Sequence, residues 1–243
     1  MAQAIAEGTS GFDAAAWNRQ QYTIQRIRTD YGFESYVRSL TNVFDEHTSR
    51  DITCGDERIL GSRMTLPGCG ILQSDAELRA SAAAIRRTNL PVGALRRHRQ
   101  CGAENLSGLS EAEITGRLHH VAKILRIPVG PGCEMLSIDG KVARAAIVAG
   151  DPRVNSCAFE GMTPFFCSAI SSTLPQDVAN YAGLSFAAMP GRFTRHDPFV
   201  VAIVGSRAEA HYSLKNLRAA ITGEPRIADL LHDGTLVVVG ADF

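Results

Sequence analysis

Two stretches decide how this chain folds: Asp51-Ile-Thr-Cys54-Gly-Asp56-Glu-Arg58, and Val92-Gly-Ala-Leu-Arg-Arg-His98-Arg-Gln-Cys101-Gly102. Each starts as a short strand-sized run, Asp51 to Cys54 and Val92 to His98, and ends in polar groups. Between them Ser74-Asp-Ala-Glu77 has the form of a capping box and opens an alanine-rich helix that Asn89-Leu-Pro91 stops. A second capping box, Ser110-Glu-Ala-Glu113, opens a helix through Leu118, Val121 and Leu125. Strand, helix, strand, helix predicts an α/β fold, a mainly parallel β-sheet flanked by crossover helices.

Working outward, residues 13 to 46 place Trp17, Tyr22, Ile27, Tyr31 and Val37 among charged residues, mostly at spacings of three and four. This predicts an N-terminal helical arm over 1–50, divided at Gly32, because a mid-helix glycine weakens the run by about 1 kcal/mol. Residues 51–243 then form the main domain, with an irregular insertion around 128–198 holding one strand at Ala143 to Ala149. After it come a strand at Phe199 to Val204, helices at Ala208 to Ile221 and Pro225 to Leu231, and a last strand at Thr235 to Val239. No internal repeat is legible.

The 243 residues are 45% hydrophobic and 21% charged, enough apolar material for a substantial core. Lys plus Arg equals Asp plus Glu at 25 each, so no basic field exists to gather phosphates, and nucleic acid is excluded as a partner. The start, Met1 to Gly8, has neither the basic residues nor the apolar run of a secretory signal, and no stretch approaches the ~18 apolar residues of a membrane span. A cytoplasmic protein is expected. There, six cysteines read as thiols or metal ligands rather than disulfides.

Adjacent parallel strands lie ~4.8 Å apart, so side chains at their carboxyl ends can converge on one ion. Cys54, His98 and Cys101 stand at two such ends and would give zinc two thiolates and an imidazole, leaving a fourth position for water. A rival arrangement uses Cys69, in Leu66-Pro-Gly-Cys-Gly-Ile-Leu72, to close the shell as a structural site. Cys133, Cys157 and Cys167 have no histidine at metal spacing and read as small buried residues. Of His119 and His120, inside a helix, one is expected to face solvent and the other to pack. Arg96, Arg97 and Arg99 would either attract an anion or pair with acidic neighbours.

Cys54-x-Asp56-x-Arg58 followed by His98-x-x-Cys101-Gly102 resembles the signature of the β-class carbonic anhydrases, including the divergent carboxysomal branch. The segments from Ser213, Pro225 and Gly234 are similar to that family's closing helix and strand. The resemblance implies Zn2+ held by Cys54, His98 and Cys101, with Asp56 and Arg58 as the catalytic acid and guanidinium pair. It implies reversible hydration of carbon dioxide to bicarbonate, zinc lowering the pKa of its water to about 7 to make hydroxide. A homodimer or higher even oligomer is expected, in the cytoplasm or a carboxysome-like compartment. The same motif fits a carbon disulfide or carbonyl sulfide hydrolase, and a zinc-stabilised scaffold protein is the reading from another class.

Overall fold

The structure is a computed structural model and describes residues 14–43, 47, 49–56, 59, 63–133, 135, 145–149, 154, 166–169, 175–205 and 214–242. Their order is α1 (Ala14–Arg26), α2 (Asp30–Arg38), β1 (Arg50–Thr53), β2 (Arg63–Thr65), a 3-10 turn (Pro67–Gly70), α3 (Asp75–Arg87), β3 (Val92–Leu95), α4 (Gly102–Ser107) and α5 (Glu111–Leu125). Then follow β4 (Ala145–Ala149), β5 (Phe166–Ala169), α6 (Pro175–Ala188), β6 (Phe199–Gly205), α7 (Leu214–Thr222), α8 (Ala228–His232) and β7 (Leu236–Asp242). The α/β class stands. The strands form two sheets rather than one, β2-β1-β3 and β5-β4-β6-β7, and every strand pair is parallel.

Both capping boxes are present. Ser74 and Ser110 accept from the backbone N–H of Glu77 and Glu113, whose carboxylates accept from the two serine N–H groups. The helices they open, α3 and α5, bury Leu78, Ile85, Ile114, Leu118 and Val121 in the core around β1. A second cluster, with Phe193 and Phe199 at 5.0 Å between ring centroids, lies where α6 and α7 meet β6.

Three expectations change. The break in the N-terminal arm falls at 27–29, not at Gly32; Thr29 caps α2 by accepting from the N–H of Gly32 at 3.1 Å. Glycine stands there because a Cβ would meet the Arg26 carbonyl at 2.3 Å. The arm's apolar stripe is spent inside the chain: Ile24, Ile27, Phe33 and Val37 are buried, and of the large apolar arm residues only Tyr22 and Tyr31 are markedly exposed among those described. The insertion around 128–198 holds not just β4 but β5 and α6. Helix α6 carries small residues on most sides, with Val178, Ala179 and Ala182 buried, so no 3.6-residue stripe marked it.

The 3-10 turn packs directly on α4. Gly68 has φ 54°, and a Cβ there would stand 2.2 Å from the Ala103 Cβ. Left-handed strain and overpacking act together, so Gly68→Ala is expected to destabilise the protein by roughly 2–4 kcal/mol, read as a lowered denaturant midpoint at unchanged slope.

Candidate metal centre

Strand β1 ends at Thr53 and delivers Cys54 next in the chain; β3 ends at Leu95 and delivers His98 three residues later. The two strands are held in parallel pairing, Ile52 opposite Leu95, and the Arg96 N–H extends the ladder to the Ile52 carbonyl at 2.9 Å. Gln100, in the left-handed region at φ 57°, turns the chain so that Cys101 sits at the start of α4, facing Cys54.

These ends bring Cys54, His98 and Cys101 together: their donor atoms all lie within 4.8 Å of one another, and all three residues are buried. The Cys101 and Cys54 sulfurs are 3.7 Å apart. Two sulfurs held ~2.3 Å from one tetrahedral ion stand about 3.8 Å apart, so the spacing is that of two ligands to one metal. The His98 side chain is wholly buried. Its Nδ1 lies 2.9 Å from the Arg99 carbonyl, which fixes Nδ1 as the protonated nitrogen and leaves Nε2 as a bare acceptor. That Nε2 is buried with no hydrogen-bond partner. An orphaned imidazole nitrogen beside two thiols suits a metal ion: a buried polar atom without a partner costs about 1–3 kcal/mol, which coordination removes.

The two thiols titrate together. Hydrogen bonding from Cys54 pulls the Cys101 thiol well below its ordinary range, and His98 and the Glu104 N–H assist. The same bond, with burial, pushes Cys54 up. Burial pulls His98 down, but the Cys101 sulfur and the Asp56 carboxylate outweigh it and the net shift is upward. Cys101 thus ionises more readily than Cys54, and cation binding favours the thiolate form of both.

Cys69 does not join the group. Its thiol points to the Arg96 carbonyl at 3.4 Å, and burial pushes its pKa well up, so it stays protonated. Cys133 directs its thiol to the same carbonyl at 3.6 Å. Asp56 places Oδ2 3.7 Å from His98 Nδ1, on the ring's far side from Nε2 and outside the three-residue group. Arg58 lies outside the described residues, as does Cys157; Cys167 is placed in β5 by its backbone pairing with Ala146.

Arg96 and Arg97, which follow β3, are ion-paired. The expected strand to His98 stops at Leu95, which removes Arg96 and Arg97 from the doubly covered sheet. Arg96 holds Asp51 at 2.8 Å and the Pro131 and Gly132 carbonyls; Arg97 holds Glu104 at 3.0 Å and Glu111. Both histidines of α5 are exposed, so neither packs inside, and His120 Nε2 pairs with Asp75 at 2.9 Å. Glu104 was not singled out in the sequence: it is buried beside Cys101, burial raising its pKa against the pull of Arg97. Its place three residues after Cys101, in the first turn of α4, is the signal that could have marked it.

No helix among the described residues is long and apolar enough to cross a membrane. Compared with known proteins, the chain matches no family model, no curated protein and no solved structure.

Proposed function

We propose that this chain is a zinc enzyme of the β-class carbonic anhydrase type, interconverting carbon dioxide and bicarbonate. The observation that carries the proposal is the buried Cys54-His98-Cys101 group, with an unpartnered Nε2 and, among the described residues, no fourth His, Cys, Asp or Glu belonging to the group. Two thiolates and an imidazole are the donor set of zinc, and three ligands match a catalytic centre rather than a closed structural one. When bound, zinc would supply a water acidified to near neutrality and a nucleophile for carbon dioxide.

The chain's own residues do the rest. Cys101 and Cys54 supply the negative charge that holds the cation, Cys54 losing its proton as it does so. The Arg99 carbonyl orients His98 through Nδ1. Asp56, next but one to Cys54 and with Oδ2 3.7 Å from His98 Nδ1, would orient a hydroxyl proton; Arg58 would hold that carboxylate back by a charge-assisted pair. Burial of all three ligands keeps bulk water from the thiolates.

The test is stopped-flow carbon dioxide hydration by zinc-loaded protein, with carbonyl sulfide and carbon disulfide turnover measured alongside. Hydration well above the buffer rate supports the proposal. Turnover of the sulfur substrates alone would move the reading to a hydrolase, and none of the three at full zinc occupancy would sink it.

A further inference from the structure

His98 and Cys101 come from one short loop, so their separation depends on what fixes its two ends. Arg97 is the residue before His98, and Glu104 stands three residues after Cys101 in the first turn of α4. The two side chains meet, Arg97 Nη2 donating to Glu104 Oε2 at 3.0 Å. The same guanidinium grips both carboxylate oxygens of Glu111, the first residue of α5. Its backbone is held as well, the Arg97 carbonyl accepting from the Cys133 N–H at 2.8 Å. One arginine thus ties the end of the β3 segment to α4 and α5, across the loop that carries two of the three donors.

Glu104 is the unusual member. Its side chain is 9% exposed, against 74% for that of Glu111. Burial pushes its carboxyl up, Arg97 pulls it back, and the charges of Cys101 and His98 both reach it. Its backbone N–H hydrogen-bonds Cys101 and helps hold that thiol below its ordinary range. Stability alone is a poor reason for a buried ion pair: well-packed apolar residues in its place are often neutral or stabilising, because two ions must be stripped of water. What the pair adds is direction. A rigid fork of N–H donors on a carboxylate fixes the angle and distance between the elements that carry them, which an apolar contact leaves free to slide. Metal centres depend on such groups, which set the orientation of the ligands in front of them.

We propose that Glu104 is a positioning residue of the metal centre, and that its pair with Arg97 holds Cys101 and His98 at the separation one cation requires. The carboxylate is not itself a ligand: it lies outside the three-residue donor group, and its Oε2 accepts from Arg97. It acts through its backbone N–H, which the pair keeps aimed at the Cys101 sulfur. The proposal rests on the metal reading of Cys54, His98 and Cys101.

Cobalt(II) reports ligand geometry without turnover, through d–d bands that follow coordination and through thiolate-to-cobalt absorbance, and a competing chelator gives its Kd. Wild type should bind one cobalt per chain. Glu104→Gln keeps the side chain's shape and the backbone N–H but removes the charge that Arg97 holds, while Arg97 keeps Glu111. It should bind cobalt roughly 10–100-fold more weakly, with shifted d–d bands. Arg97→Met/Glu104→Leu removes both charges together and should show the same loss on a stable fold. Wild-type affinity, or unshifted bands, in either folded variant overturns the proposal. So does a loss of affinity that vanishes once the unfolded fraction of metal-free protein is subtracted, the mark of a structural brace. A wild type that takes no cobalt overturns the metal reading, and the positioning role with it.

Discussion

Cys101→Ser is expected to abolish metal binding, whereas Cys69→Ser keeps one zinc per chain. Both thiols are buried, and sequence alone leaves either free to complete a shell. Geometry separates them: the Cys101 sulfur lies 3.7 Å from that of Cys54 and in ligand reach of His98, while Cys69 spends its proton on the Arg96 carbonyl. Serine at 101 would replace the one thiol that ionises readily with a hydroxyl that does not, leaving one thiolate and an imidazole. A cation at a thousand times its Kd stabilises the folded state by roughly 4 kcal/mol. Wild type and Cys69→Ser should therefore gain several degrees in Tm on zinc addition, and Cys101→Ser none. Elemental analysis with paired melts checks this; zinc retained in Cys101→Ser and lost in Cys69→Ser would reverse the assignment.

Arg58→Ala should retain zinc yet lose carbon dioxide hydration by roughly 10–100-fold, the cost typical of removing a residue that orients a metal's surroundings. The Asp56 carboxylate already lies against the His98 ring at 3.7 Å. Without the guanidinium proposed to hold it, that carboxylate would be free to swing from the Nδ1 side of the ring and take the open position as a fourth ligand. Wild-type activity should rise with pH through about 7, while the variant stays low across that range. A pH-rate profile with zinc content measured in parallel decides it. Near-normal turnover in zinc-loaded Arg58→Ala would show that the pair does not control access.

The Cys54-His98-Cys101 group was legible because its chemistry is written in residue types at strand ends. Cys54, His98 and Cys101 need only two adjacent parallel strands to meet, and the capping boxes at Ser74 and Ser110 announced the crossover helices that make strands parallel. The arm was legible as helix but not in its joint: a glycine reads as a break, whereas Gly32 answers to the Arg26 carbonyl brought close by the turn. Helix α6 escaped because Ala and Gly give no amphipathic stripe, and β5 is a four-residue run that periodicity cannot assign.

If three protein ligands hold the metal and leave a position open, X-ray absorption at the zinc edge of metal-loaded protein will show it. Two sulfurs are expected at about 2.3 Å with nitrogen or oxygen neighbours at about 2.0–2.1 Å, one of them exchangeable for added anion. A shell of three sulfurs and one nitrogen, indifferent to anions, would mean that Cys69 or Cys133 closes the site, and would contradict it.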